Sequence, residues 1–99
     1  MDFYTYILAS KPRGTLYIGM TRDIETRVYQ HKTNFIKWFT SRYNVKILVH
    51  YEIFNTAFDA IEREKELKHW NRAWKIQLIE EHNPLWKDHY LDWFGSLPE

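Results

Sequence analysis

Glu64 is a carboxylate in an apolar place. At about 100° per residue, Ala57, Ala60, Ile61, Leu67 and Trp74 fall on one helical stripe, and Glu64 falls within it. Glu62, Arg63, Lys65 and Glu66 lie outside the stripe or at its edge. A charge at a core-facing position is costly unless it is paired or binds a metal. Two readings are open: a metal-ligating carboxylate, or a buried salt bridge on a stripe that rotates away from the core. Earlier in the chain, Arg27 and His31 stand one helical turn apart, flanking an apolar face of Ile24 and Val28. They suit a phosphate and a proton; they also suit a solvated charge and a hydrogen-bonded rim histidine. Tyrosines form the third group. If Ser10 pairs with Thr15, Tyr6 lies opposite Gly19 and Leu8 opposite Tyr17. Strand alternation then puts Tyr4, Tyr6, Tyr17 and Gly19 on one face. The space above Gly19 admits a tyrosine ring or a phosphate. Plain packing of strand tyrosines is the other reading.

The elements that must position these groups are legible. Residues 3–9 and 15–20 are rich in aromatic and β-branched side chains, with Ser10-Lys11-Pro12-Arg13-Gly14 between them, which predicts a β-hairpin. Asp23 caps a helix running to about His31 or Lys32, and a short helical turn is expected within residues 36–40. Residues 45–53 form a third strand. Thr56 caps a second helix to about Trp70, and a third runs from about Arg72 to Glu81, stopped by Asn83-Pro84. The expected order is β-β-α-β-α-α: an α+β fold, with a small three-stranded antiparallel sheet packed with about three helices. Residues 1–84 make the domain, and the aromatic tail 85–99 packs on it.

Ninety-nine residues, 44% of them hydrophobic and 18% aromatic, bury one core with little to spare. The absence of cysteine removes disulfides, thiolate nucleophiles and sulfur-based zinc sites. The N-terminus does not read as a signal peptide and no apolar run is long enough to span a bilayer, so a cytoplasmic protein is expected. The net charge of +1 conceals an asymmetry. Residues 1–50 carry eight basic and three acidic side chains, hence +5; residues 51–99 carry six and ten, hence −4. A basic first half points weakly to phosphate binding and fits an uneven solvated surface equally well.

Taken together, Tyr6, Tyr17-Ile18-Gly19, Arg27, His31 and Glu64 resemble the GIY-YIG nuclease superfamily, which includes phage homing endonucleases and the incision subunit of bacterial excision repair. The tyrosines stand eleven apart and Arg27 ten beyond the second, as in that pattern. The helix from Ala60 to Lys68 resembles the superfamily's glutamate-bearing helix, with Glu64 in the acidic position. The resemblance runs from about Phe3 to Asn83 and is strongest to short stand-alone bacterial members, which share the flavour of residues 75–78 and of Asn83-Pro84-Leu85-Trp86. The first motif departs: Tyr4-Thr5-Tyr6 stands where the family name has Gly-Ile-Tyr. Asn83 is the candidate for the asparagine often found near the end of the domain.

The resemblance implies one divalent ion, Mg2+ or Mn2+, with Glu64 as its sole protein ligand. It implies Arg27 on the scissile phosphate, Tyr17 positioning or deprotonating the attacking water, Tyr6 beside Tyr17, and His31 orienting phosphate or sharing the proton work. The expected partner is DNA, with RNA not excluded. Lys11, Arg13, Arg22, Lys32, Lys37 and Arg42 would contact phosphates without reading sequence, which favours action on branched or damaged DNA. The competing reading is a non-cleaving nucleic-acid-binding or adaptor module. A protein partner or homodimer would use the tryptophans, five in so short a chain.

Overall fold

The computed structural model describes residues 2–33 and 42–95. Strand β1 (Phe3–Ala9) turns through Ser10–Gly14 into β2 (Leu16–Thr21). Helix α1 (Ile24–Lys32) follows, then β3 (Ile47–Phe54), α2 (Ala57–His69), α3 (Arg72–His82) and a short α4 (His89–Phe94). The fold is α+β, as the sequence predicts, and the described residues include a further short helix, α4, in the stretch expected as a tail. The turn predicted within residues 36–40 lies outside the described residues, as do Lys37 and Trp38.

The sheet order is β2-β1-β3, antiparallel throughout. The hairpin register is the expected one: the Ser10 amide donates to the Thr15 carbonyl at 3.0 Å, Tyr6 faces Gly19 and Leu8 faces Tyr17. Alternation sends Tyr6 and Leu8 into one core layer with Ile24 and Val28 of α1, Leu48 of β3 and Tyr90 of α4. It sends Ile7, Ala9 and Ile18 into a second layer with Val49, Leu67 of α2, Ile79 of α3 and Trp86. The sheet is therefore covered on both faces. A register shift on β3 between the partners of Ile7 and Leu8 marks a bulge that re-aims the strand.

Caps define the helices. The side chains of Asp23, Thr56, Asn71 and Asp88 each accept from an amide two or three residues on, satisfying donors that a helix start leaves free. Trp70 ends α2 in extended backbone, and Asn71 starts α3 in a new direction.

That break corrects the stripe read from sequence. Ala60 and Leu67 are buried, but Ile61 is exposed and Trp74, on the next helix, is 54% exposed. Glu64 does not lie in a sealed core; its side chain is 22% exposed and meets Lys68 one turn on at 3.2 Å. Trp74 contacts Trp70 edge-on rather than filling the core.

Candidate active site

The centre of the site is Tyr6, in the middle of the central strand and almost wholly buried. Its hydroxyl lies 3.2 Å from Nε2 of His31, on the last turn of α1. Its ring stands 6.3 Å from that of Tyr17 on β2, and Tyr17 stands 5.2 Å from His31. Three rings from three elements thus form one cluster. Gly19 makes the room. A Cβ there would sit 2.5 Å from the Tyr6 hydroxyl and 2.7 Å from the ring carbon bearing it, closer than real atoms approach.

The electrostatics tie two further residues to this cluster. Burial raises the Tyr6 phenol far above its ordinary 10.0, and the neighbouring Tyr17 raises it further; Arg27 opposes this, while Glu64 and a hydrogen bond with Tyr17 add to it. Tyr6 therefore keeps its proton and senses both a guanidinium and a carboxylate. His31 is pushed down to about 4, first by burial and then by the Arg27 charge, so its imidazole is neutral at ordinary pH. Arg27 itself is exposed, and its side chain forms no hydrogen bond or ion pair among the described residues. Helix α2, which carries Glu64, packs on β1 and β2.

A metal here would have one protein carboxylate. Among the described residues no three His, Asp or Glu side chains converge as a cage. The carboxylate of Glu64 is partly open, and its pairing with Lys68 is an exposed one-turn pair of the weak kind. That donor set suits magnesium, which keeps most of its waters and takes one or two carboxylates.

The basic residues separate into different environments. Lys32 is nearly buried: its ammonium pairs with Asp88, donates to the Lys46 carbonyl at 2.7 Å and lies over the Tyr90 ring. It is a structural lysine, not the phosphate contact expected from sequence. Arg13 forms a two-pronged pair with Glu80, tying the hairpin loop to α3. Arg22 lies over the Phe3 ring and Arg42 over the Tyr43 ring. Lys11 is exposed on the loop.

Asn83, the candidate for the asparagine near the end of the domain, has structural partners. It is buried and donates to the carbonyls of Val49, at 3.1 Å, and Lys87, at 2.9 Å, while its side-chain oxygen accepts from the Lys87 amide. It therefore fastens the chain beyond α3 to β3, the sheet edge opposite β2.

Two groupings escaped the sequence reading. Glu52 of β3 accepts from Arg63 at 2.8 and 3.1 Å and contacts His50 at 2.8 Å. Burial alone would push the Glu52 carboxyl up; hydrogen bonds from His50 and Arg63 outweigh it and bring it to about 2. The signal was His50 and Glu52 two apart on a strand, hence on one face. The second grouping is a bond from Thr5 to the backbone of α2, considered below.

A tyrosine-bearing hairpin with an arginine helix and a glutamate helix defines an α+β domain of the nuclease type. The chain belongs to the GIY-YIG family: residues 2–77 match the GIY-YIG catalytic domain. It is similar to a UPF0213 protein of Staphylococcus saprophyticus, 37% identical over 78 residues that cover 79% of this chain and 94% of the relative. A UPF0213 protein of Syntrophus aciditrophicus is 40% identical over 83 residues, covering 82% and 92%. The solution NMR structure of a UPF0213 protein from Bacillus halodurans superposes with a TM-score of 0.56 at 27% identity, covering 92% of this chain and 96% of that one. Among the described residues no helix is long and apolar enough to cross a membrane.

Proposed function

We propose that this protein is a divalent-metal-dependent endonuclease that hydrolyses phosphodiester bonds in DNA, selecting substrate by shape. One observation carries the reading: a single buried phenol, Tyr6, touches His31, bonds Tyr17, and lies in the fields of both Arg27 and Glu64. A fold has no evident need for that convergence, whereas phosphodiester hydrolysis uses each part. Glu64 would hold the ion. Bound there, magnesium or manganese supplies Lewis-acid stabilisation of charge on the phosphate oxygens. Arg27, whose side chain forms no hydrogen bond or ion pair among the described residues, offers its planar fork to the same phosphate.

The hydroxyls then sort by role. Tyr6 stays protonated and donates to the Tyr17 oxygen. In that arrangement the neutral His31 ring donates its Nε2 hydrogen to Tyr6. Tyr17, at the outer end of these hydrogen bonds, positions the attacking water, whose proton passes to solvent. Water oxygen bonds to phosphorus as the bond to the 3′ oxygen breaks, and that oxygen takes a proton from solvent, leaving a 5′ phosphate and a 3′ hydroxyl. Contacts to phosphate position the duplex, and its shape decides where cutting occurs.

The test is a cleavage assay on labelled flap, branched and linear DNA, and on RNA of the same shapes, with magnesium, manganese or chelator. Cutting that needs metal and falls by about 10²–10³ in Glu64→Gln and Arg27→Ala supports the reading. Binding without cleavage under either metal identifies an adaptor instead.

A further inference from the structure

Thr5 occupies the motif position between two tyrosines, and it is fully buried. Its face of β1 is otherwise apolar at Ile7 and Ala9. A hydroxyl in such a layer is costly unless bonded, and a valine would fill the same space. Its hydroxyl donates to the carbonyl of Ala60, 2.7 Å away and 55 residues on in the chain. Ala60 lies on α2, four residues before Glu64, so the Glu64 amide is due to the same carbonyl. The bond therefore joins the residue before Tyr6 to the turn that carries Glu64. It fixes both the rotation of α2 and its height along β1.

We infer that Thr5 is a positioning residue that sets the affinity of Glu64 for a divalent cation by locking α2 onto the strand bearing Tyr6. The inference rests on the nuclease reading above. Packing of Ala60 and Leu67 holds α2 against the sheet, but apolar contacts are non-directional. A hydrogen bond with a 2.7 Å reach is directional and selects one rotation of the helix. A carboxylate displaced by a fraction of an ångström loses its aim at the position an ion would take.

The experiment compares wild type, Thr5→Val and Thr5→Ser, with Ile79→Val as a control for general loss of stability. Mn2+ is titrated into each, and paramagnetic broadening of amide signals around Glu64 reports binding independently of turnover. Cleavage is followed in parallel as kcat and as KM for DNA. Thr5→Val is expected to need about tenfold more Mn2+, the scale on which support around a ligand acts, with KM for DNA unchanged. Thr5→Ser should restore the wild-type titration, and Ile79→Val should leave it in place. An unchanged Mn2+ titration in Thr5→Val, beside an active wild type, overturns the positioning role alone; so does an equal shift in Ile79→Val. If wild type binds Mn2+ at Glu64 without cutting, the nuclease reading fails and the titrations still decide the role of Thr5. Absence of Mn2+ binding by wild type overturns both.

Discussion

The hydroxyl of Tyr6 and the Nε2 of His31 meet at 3.2 Å in a region closed to solvent. The pair joins the central strand to the last turn of α1, and its two members are pushed in opposite directions. Burial raises the phenol and lowers the imidazole, because in each case it disfavours the charged form. Both are neutral hydrogen-bonding groups at ordinary pH, which suits a scaffold for Tyr17 better than a pair exchanging protons.

The pH dependence of stability follows from His31. Its pKa falls from 6.5 in the unfolded chain to about 4 in the fold. The unfolded chain therefore binds the extra proton first, and stability present above 6.5 declines as pH drops toward about 4. The shift caps this contribution at roughly 3 kcal/mol, and screening of the exposed Arg27 charge brings it nearer roughly 1–2 kcal/mol. Urea midpoints measured across this range should fall in wild type. They should fall less in His31→Gln, which keeps a donor for Tyr6 and has no ionisable ring. Parallel declines would remove His31 as the cause.

Gly19→Ala tests the cradle. The added methyl would lie 2.5 Å from the Tyr6 hydroxyl, so the ring must move, and it is held by β1, Tyr17 and His31. Overpacking of this kind costs about 1–3 kcal/mol. Displacement of Tyr6 carries Tyr17 with it, so kcat should fall by about 10². Thermal unfolding together with single-turnover cleavage checks both. Full activity at unchanged stability would show that the site has slack there.

The hairpin was readable because its register follows from one turn, Ser10 to Thr15, and a two-residue period. The same period put Tyr6, Tyr17 and Gly19 together. Glu64 was harder to read. The helical stripe suggested a buried carboxylate because Trp74 was counted on the same helix, and the break at Trp70 and Asn71 sends Trp74 elsewhere. Lys32 was misread because it is basic and stands near a motif in sequence, whereas its partner, Asp88, is brought in only by tertiary folding. Thr5 escaped notice because a β-branched residue in a strand is unremarkable until the opposing helix is placed.

Lys32 yields a stability prediction where sequence suggested a binding one. Its pairing with Asp88 is nearly buried, and Asp88 also accepts from the amides of Leu48 and Tyr90. Lys32→Met removes the ammonium and leaves the carboxylate with those two amides. The loss should be about 2–4 kcal/mol, somewhat under the cost of stranding a wholly unpartnered charge. DNA affinity of the folded variant should keep the wild-type salt slope, since a lysine turned inward neutralises no phosphate. A slope reduced by about one unit would return Lys32 to the DNA-contacting surface.

Arg63 holds Glu52 from α2 across to β3, and it also packs over the Trp70 ring at 5.0 Å. Glu52 titrates at about 2 in the fold against 4.5 unfolded. Its contribution is therefore present above 4.5 and is lost as pH falls toward 2. Arg63→Met removes the guanidinium and leaves the hydrogen bond with His50, so the Glu52 carboxyl should rise toward its ordinary value. Stability at neutral pH should drop by roughly 1–3 kcal/mol, and the acid-induced loss between those two pH values should shrink. Carbon-detected titration of the Glu52 carboxyl, with chemical denaturation at several pH values, measures both. Because Arg63 precedes Glu64 on the same helix, the variant also separates two ways of holding α2. If cleavage survives a folded Arg63→Met but not Thr5→Val, the aim of the carboxylate is set from the central strand and not from the sheet's far edge.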